Sequence, residues 1–353
     1  MKPGLADSYH PLVDGDLTLR RAVPSDAADI REVYAEADTR HWMLWEDGEP
    51  PDEAKALANI KRSEEAWAEG WGGVFRIDVD GRVVGGAMIR FAQTGTGEAA
   101  YFLRQSMRGR GLATRALLLV ADWGFREHGL MRVYARVDPA NVASVRLVER
   151  AGFTYEGLER NSAQYPGGRW FDSRVYSLLP SERVAIRPAT AADAEFLTDA
   201  AIAATEAQGR FPADLDRAEY RAGFLDWTRE QLRGPVDDPV DDPADDRADD
   251  QVDDQVADST TSVVTAYGVD VGRLRVVRTA ELVELAGLQL LPAHQSKGIG
   301  TRVVRDLIAE AAASRRGFGL SVEKDNPRAR ALYERLGLVV VGEDGEDWVM
   351  RLP

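Results

Sequence analysis

Apolar and polar positions run along this chain in two blocks with the same order of elements. In the first, Thr18 to Arg21 alternates with period two and predicts a strand, and Ser25-Asp26 marks a helix start with Ser25 as a cap. Val74 to Val79 and Val83 to Ile89 flank Asp80-Gly81, the pattern of a hairpin with an Asp-Gly turn. Ala100 to Leu103 predicts a strand, Leu112 to Glu127 a helix and Arg132 to Val137 a strand. The second block predicts strands over Val263 to Val269, Arg273 to Arg278 and Leu282 to Leu291. A helix over Thr301 to Ala313 and a strand over Gly319 to Val322 complete it. Strands hydrogen-bonded as hairpins, with helices at the start and middle, indicate an α+β class with one layered unit per block.

The blocks are an internal repeat. Leu17-Thr18-Leu19-Arg20-Arg21-Ala22 matches Val184-Ala185-Ile186-Arg187-Pro188-Ala189, 167 positions on. Arg108 matches Gln295 at a spacing of 187, and Asn141 matches Asn326 at 185. The second copy therefore gains roughly 20 residues between its first strand and its glycine loop, a length that suits the degenerate repeat of paired aspartates from Val236 to Ala257. We expect an insertion there rather than a linker, with the boundary at Pro180-Ser181-Glu182-Arg183. The expected domains are residues 1–180 and 181–353.

Composition adds limits. A chain of 353 residues fits two domains, each long enough for its own core. The net charge is −15, of which residues 236–258 carry −10 through eleven Asp and one Arg. Such a run cannot bury a core and is expected to be disordered, a solvated loop or an acidic arm for a basic partner. Neither part shows the basic footprint of a nucleic-acid binder. There are no cysteines, hence no disulfide or thiolate chemistry, and no apolar run long enough for a signal peptide core or a membrane span. A cytoplasmic location is expected. The four histidines lack metal-ligand spacing, so no metal is expected, and His294 reads as a local structural residue.

The chemistry concentrates in two loops. Arg108-Gly109-Arg110-Gly111-Leu112-Ala113-Thr114 and Gln295-Ser296-Lys297-Gly298-Ile299-Gly300-Thr301 each follow a strand and open a helix. Glycine lets a backbone approach a pyrophosphate closely, and a helix N-terminus offers unpaired N–H groups. Neither loop fits the spacing of a P-loop or a dinucleotide fingerprint. One such loop alone is equally a structural turn. Downstream of each stands a second, shorter helix that ends in glycine: Asn141 to Gly152, and Asn326-Pro327 to Gly337. Asn326 is a favoured cap, Pro327 suits the first helical position, and Tyr333 lies on the same face two turns on.

Taken together, these residues resemble the GNAT superfamily of acyl-CoA-dependent N-acyltransferases, present twice, over nearly the whole chain except residues 1–12 and the acidic run. The resemblance implies two tandem domains, each a mostly antiparallel sheet flanked by helices. It implies acetyl-CoA as cofactor, an amine acceptor that is a small molecule or a peptide, and direct transfer. It places the cofactor against both loops, against Asn141 and Asn326, and against the strand ends Phe102-Leu103 and Leu288 to Leu290, whose N–H groups face the thioester oxygen. Tyr333 becomes the acid for the departing thiolate, Glu284 the base of the second copy and Glu98 that of the first. The first copy departs from the pattern, because Val148 stands seven residues after Asn141, which leaves Tyr155 or a water as alternatives for the acid, and it looks more like the ribosomal-protein N-terminal acetyltransferase branch. An exposed or ion-paired strand carboxylate is the alternative for either glutamate. Acceptor pockets are expected around His41 to Asp47 in copy one, and around Gln208 to Asp214 and Tyr220 to Trp227 in copy two. Aromatic residues there can hold a cationic amine or simply pack. Two other readings stay open: only the second copy is catalytic, or the protein binds an amine or senses acetyl-CoA without turnover.

Overall fold

The structure, a computed structural model, describes residues 9–44, 51–92, 95–212, 214–233 and 258–353. The acidic run up to Ala257 lies outside the described residues, as do Trp45, Glu46, Asp47 and Ala213 of the expected acceptor segments. The chain divides into two compact units, Met1–Glu182 and Arg183–Pro353.

The N-terminal unit contains β1 (Leu12–Asp14), β2 (Leu17–Arg20), α1 (Ala27–Ala35), α2 (Ala37–Trp42), α3 (Glu53–Glu69), β3 (Gly72–Val79), β4 (Arg82–Phe91) and β5 (Thr96–Leu103). It continues with α4 (Leu112–Glu127), β6 (Arg132–Val137), α5 (Val142–Arg150), β7 (Thr154–Gln164) and β8 (Trp170–Leu178). The sheet order is β1-β2-β3-β4-β5-β6-β8-β7. Only β5 and β6 are parallel, because helix α4 crosses between them. Their pairing is short, ending at Glu98 opposite Tyr134. Strand β4 holds the other edge of β5 as far as Leu103. Strand β6 instead follows β8 up to Val137. Beyond Glu98 the two strands therefore have no ladder between them, and the sheet opens.

The C-terminal unit repeats this. Its elements are β9 (Val184–Pro188), α6 (Ala194–Ala207), α7 (Arg217–Leu232), β10 (Asp258–Ala266), β11 (Val269–Arg278) and β12 (Leu282–Leu290). Then come α8 (Ile299–Ala313), β13 (Gly317–Glu323), α9 (Pro327–Arg335), β14 (Val339–Asp344) and β15 (Asp347–Arg351). The order is β14-β15-β13-β12-β11-β10-β9. Parallel pairing of β12 with β13 stops at Leu285 opposite Leu320, and β12 then bulges at Ala286.

Both cores follow the expected alternation. In the N-terminal unit Trp67, Phe75 and Trp123 meet edge to face, with centroids 5.0–5.6 Å apart, joining α3, β3 and α4. Ala22, Ile30, Ala56, Ile60 and Val83 close the opposite face under α1 and α3. In the C-terminal unit Val303, Val304 and Leu307 of α8 are buried, as are Leu274, Leu285, Phe318 and Leu320 of the sheet.

Some boundaries differ from the sequence expectation. Helix α8 begins at Ile299 rather than Thr301, because Gly298 takes the left-handed conformation (φ 79°) and caps it. Gly300 is thus inside the first turn. Strand β10 ends at Ala266 and the next begins at Val269, so the expected strand to Val269 contains a turn. Tyr267 and Gly268 occupy it with φ 42° and 78°, matching Asp80 and Gly81 at 53° and 77°. Tyrosine is a poor turn signal. Here the ring is fully buried and its hydroxyl lies 2.8 Å from His294 Nδ1, which holds the conformation. The terminal hairpins β7–β8 and β14–β15 complete the two sheets beyond the strands expected from the sequence.

Candidate functional site

Where β5 and β6 part, the N-terminal unit holds a cavity of about 1060 Å³. Its walls bring together most of the expected site. Ala99 to Leu103 come from β5, Ala135 to Val137 from β6, Gly109, Gly111, Leu112, Ala113 and Thr114 from the loop, and Asn141, Ser144 and Leu147 from the second helix. Thr39 and Trp42 of α2, Met43 just after it, and Phe171 and Ser173 of β8 also line it.

The loop is shaped as a cradle for an anion. Gly109 and Gly111 sit at φ 78° and 76°, and a methyl group added to either would meet no atom within 4 Å. Gly111 caps α4 without any side-chain hydrogen bond, so the first-turn N–H groups of Leu112, Ala113 and Thr114 keep their donors. With the helix dipole behind them, these donors suit a diphosphate. An open backbone cradle at a helix start, joined to a cavity of this volume between splayed strands, fits an acyl-CoA.

Arg108 lines the cavity as well, and its side chain is engaged within the protein. Its Nε donates to the Leu103 carbonyl at 3.1 Å and Nη1 to Asp38 at 3.0 Å. Gln295 repeats the first contact, with Nε2 donating to the Leu290 carbonyl at 3.0 Å. These two side chains pin each loop to the end of its strand. Arg110 makes no such contact among the described residues.

The second helices are capped alike: Asn141 Oδ1 accepts from the Ser144 N–H at 3.0 Å, and Asn326 Oδ1 from the Ala329 N–H at 3.1 Å. Their hydroxyl groups are placed differently. In the C-terminal unit Tyr333 hangs from α9, and burial, with the charge of Glu323, pushes its phenol up to about 12. In the N-terminal unit the equivalent Val148 is fully buried. One turn earlier stands Ser144, whose Oγ lies 2.8 Å from the Tyr101 hydroxyl, and burial pushes Tyr101 up to about 12. Sequence reasoning missed Tyr101 and Ser144. The signal was present: three and seven residues after asparagine the copies read Ser and Val, or Ala and Tyr, so each helix carries one hydroxyl.

The two glutamates differ. Glu98 accepts from Arg136 Nε and Nη2, both at 2.8 Å, and from Arg90. Burial alone would raise its carboxyl, but the hydrogen bonds from Arg136 and Arg90 outweigh it and hold Glu98 below its ordinary value. Glu284 makes no hydrogen bond or ion pair among the described residues and sits in the last stretch where β12 still pairs with β13, opposite Gly319.

In the C-terminal unit the same parts converge. A Cβ built on Gly300 would lie 3.8–3.9 Å from Leu288, Leu290 and Leu332, so the helix start, the end of β12 and α9 meet. Lys297 is half-buried with its ammonium 5.7 Å from the Tyr267 ring, and burial lowers its affinity for the proton. Three of the aromatic residues expected to hold a cationic amine in this copy already lie against arginines of the domain. Arg217 lies over Phe211 at 5.1 Å, and Arg273 lies over Phe224 and Trp227 at 5.4 and 4.9 Å. No group of three His, Asp or Glu among the described residues is placed to hold a metal ion, and no described helix is long and apolar enough to cross a membrane.

Comparison with known proteins gives two matches to family profiles. Residues 16–154 match an acetyltransferase (GNAT) domain, and residues 222–338 match the acetyltransferase (GNAT) family. The chain is 40% identical to the probable N-acetyltransferase YjcK of Bacillus subtilis (strain 168) over 79 residues, 22% of this chain and 43% of that relative, so it spans less than half of that relative's length. It is 28% identical to the uncharacterized N-acetyltransferase p20 of Bacillus licheniformis over 170 residues, 47% of this chain and 94% of the relative. Among solved structures, RimJ of Mycobacterium smegmatis in complex with CoA-disulfide is 26% identical, with a TM-score of 0.45, covering 52% of this chain and 91% of that one.

Proposed function

Because the chain belongs to the acetyltransferase (GNAT) family and carries two of its domains, we propose that it moves an acetyl group from acetyl-CoA to a primary amine, by direct attack, in each domain. The observation that carries this reading is the cavity between β5 and β6, which joins the open loop of α4 to a wall of hydroxyl and amide groups. When bound, acetyl-CoA supplies the acetyl group activated as a thioester. The residues supply the rest.

In both domains the N–H groups opening α4 and α8 bind the diphosphate, and Arg108 and Gln295 keep those loops in place. Asn141 and Asn326 spend Oδ1 on their caps and retain Nδ2 as a donor toward the pantetheine arm. Backbone N–H groups at Phe102-Leu103 and Leu288 to Leu290 line the splay where a thioester oxygen comes to rest. In the C-terminal domain Tyr333 holds a proton at Oη for the leaving sulfur, and its raised pKa keeps that proton in place across the working range. Glu284, without an ion pair, draws the proton from the amine. In the N-terminal domain Ser144 Oγ takes the place of Tyr333, with Tyr101 donating to it from behind.

One observation favours a second reading for the N-terminal domain. Glu98 is clamped by two guanidinium groups and held ionised, a weak base. That domain would then bind acetyl-CoA without turnover. Release of free thiol with a panel of amines, in the wild type and in Gly111→Glu and Gly298→Glu variants, tests both readings. Each variant should remove one domain's activity. Full activity in Gly111→Glu and none in Gly298→Glu would leave the C-terminal domain as the sole enzyme. In the Gly111→Glu background, Tyr333→Phe should lower turnover by ~10²–10⁴-fold while acetyl-CoA binding survives. Unchanged turnover would make Tyr333 a packing residue.

A further inference from the structure

Arg273 of β11 is 5% exposed, yet it makes no hydrogen bond or ion pair among the described residues. Its Nε and Nη2 atoms are buried and unpaired. Directly across the ladder stands Gln289 of β12, whose Oε1 is also buried and unpaired. Buried polar atoms are nearly always paired, so three unpaired ones on a single rung call for a partner. The guanidinium carbon lies 5.4 Å from the Phe224 ring centroid and 4.9 Å from that of Trp227, rings that offer no hydrogen-bond acceptor in their plane, so the buried Nε–Nη2 fork keeps both of its donors. That fork matches the two oxygens of a carboxylate.

The rung lies beside the reacting end. Gln289 is flanked by Leu288 and Leu290, which approach Gly300 on the α8 side of the sheet. Gln289 and Arg273 point the other way, toward α7. With Ala286 as the bulge, Glu284 opposite Val277 and Gly287 opposite Arg275 share this face with them. So the proposed base, Gln289 and two arginines occupy one side of the sheet.

The N-terminal domain gives the contrast. Its equivalent rung is Gly86 opposite Phe102, and the arginine of that row, Arg76, comes from the neighbouring strand β3, where the C-terminal domain has Val263. Arg76 is 2% exposed, but its Nη2 donates to Asn59 at 2.7 Å and to Ser63 at 2.9 Å, and its Nη1 to Tyr34 at 3.3 Å. Both terminal nitrogens of Arg76 are thus paired within its own domain, and only its Nε is buried without a partner. Arg273 has no such set.

We propose that the C-terminal domain selects an amine that also carries a carboxylate, an amino acid, with the carboxylate received by the Nε–Nη2 edge of Arg273 and the amine N–H by Gln289 Oε1. The selection rests on the amine transfer proposed above. A polyamine or a simple arylamine brings no anion to this rung and leaves the guanidinium unpaired. Burial, with Arg275 adding to it, pushes the Arg273 guanidinium down to about 10, which marks how poorly its charge is compensated before an anion arrives.

The test is calorimetric titration of the full chain with the common L-amino acids and, in parallel, their α-carboxamides. The best-bound amino acid should exceed its carboxamide by about 10- to 100-fold in affinity, the range of a charge-assisted fork. Arg273→Met should abolish that preference without lowering the melting temperature, because a thioether between Trp227 and Phe224 removes an uncompensated charge. Arg273→Lys, which keeps the charge and loses the fork, should also lose at least about tenfold. The proposal is overturned if no amino acid binds better than its carboxamide. It is equally overturned if the preference survives in Arg273→Met, or if that variant melts lower with its preference intact, as a structural arginine would. Thiol release separates the two readings. Carboxylate-dependent binding without turnover would sink the transfer and leave this site standing. Turnover of amines lacking a carboxylate, with no amino-acid preference, would do the reverse.

Discussion

Tyr101 of β5 and Ser144 of α5 stand with their hydroxyl oxygens 2.8 Å apart on the wall of the N-terminal cavity. Both residues line the cavity, so the contact joins its strand wall to its helix wall. Tyr101 is buried and protonated, so either hydroxyl can donate, and in the arrangement with Tyr101 as donor the serine hydrogen is free for another acceptor.

Removing each hydroxyl in turn should separate the donor from its support. In a chain whose C-terminal loop is disabled by Gly298→Glu, Ser144→Ala should lower thiol release by ~10²-fold or more. Tyr101→Phe should lower it by roughly tenfold, the worth of one hydrogen bond to a group that then works alone. Acetyl-CoA binding, followed by calorimetry, should stay within a few-fold of wild type in both. Equal activity in Ser144→Ala would remove the serine from the chemistry.

The two glycines of the C-terminal loop should respond in opposite directions to the same methyl group. Gly298 has φ 79°, a conformation that strains any side chain, so Gly298→Ala should destabilise by about 1–2 kcal/mol. Gly300 lies in the first turn of α8, and an added Cβ would sit 3.8–3.9 Å from Leu288, Leu290 and Leu332, ordinary contact distances. Gly300→Ala should therefore stabilise by roughly 0.5 kcal/mol and retain acetyl-CoA binding, since the other domain carries Ala113 there. Denaturant midpoints of the two variants would check the signs, and a loss of stability in Gly300→Ala would contradict them.

How far the sequence could be read follows from the physics of each signal. The loops, the caps at Asn141 and Asn326 and the central strands were legible, because glycine, asparagine and period-two alternation each reflect a local backbone demand. The sheet opening was not, since it depends on how long β5 stays paired with β6, a tertiary property. Tyr267 hid a hairpin turn because its positive φ is held by burial and by His294, not by its own preference. Ser144 was not legible from the spacing that marks Tyr333, because the position seven residues after Asn141 holds Val148 and the hydroxyl sits one turn earlier. Arg273 gave no signal at all: an arginine in a strand looks like a solvated position, and only the packed aromatic rings of α7 make it a buried one.

Glu98 and Glu284 look alike in the sequence, and substitution by glutamine should tell them apart. Glu98 is ionised and hydrogen-bonded to Arg136 and Arg90, with a folded pKa below its ordinary value. A depressed carboxyl contributes stability that is present above the unfolded pKa, about 4.3, and is lost as pH falls through the lower folded value. Glu98→Gln should therefore destabilise the N-terminal domain by about 1 kcal/mol at neutral pH, a modest figure because the arginines are partly exposed. The difference from wild type should shrink below pH ~4 as the wild-type carboxylate takes up its proton. Glu284 has no ion pair to lose, so Glu284→Gln should leave the melting temperature unchanged. Its effect should appear in turnover, measured with the Gly111 loop disabled, and be largest at low pH, where the amine holds its proton most firmly. Melting curves from pH 3 to 8 and a pH–rate profile would decide. A stability loss in Glu284→Gln with a flat pH–rate effect would mean that this carboxylate, too, holds the fold rather than the proton.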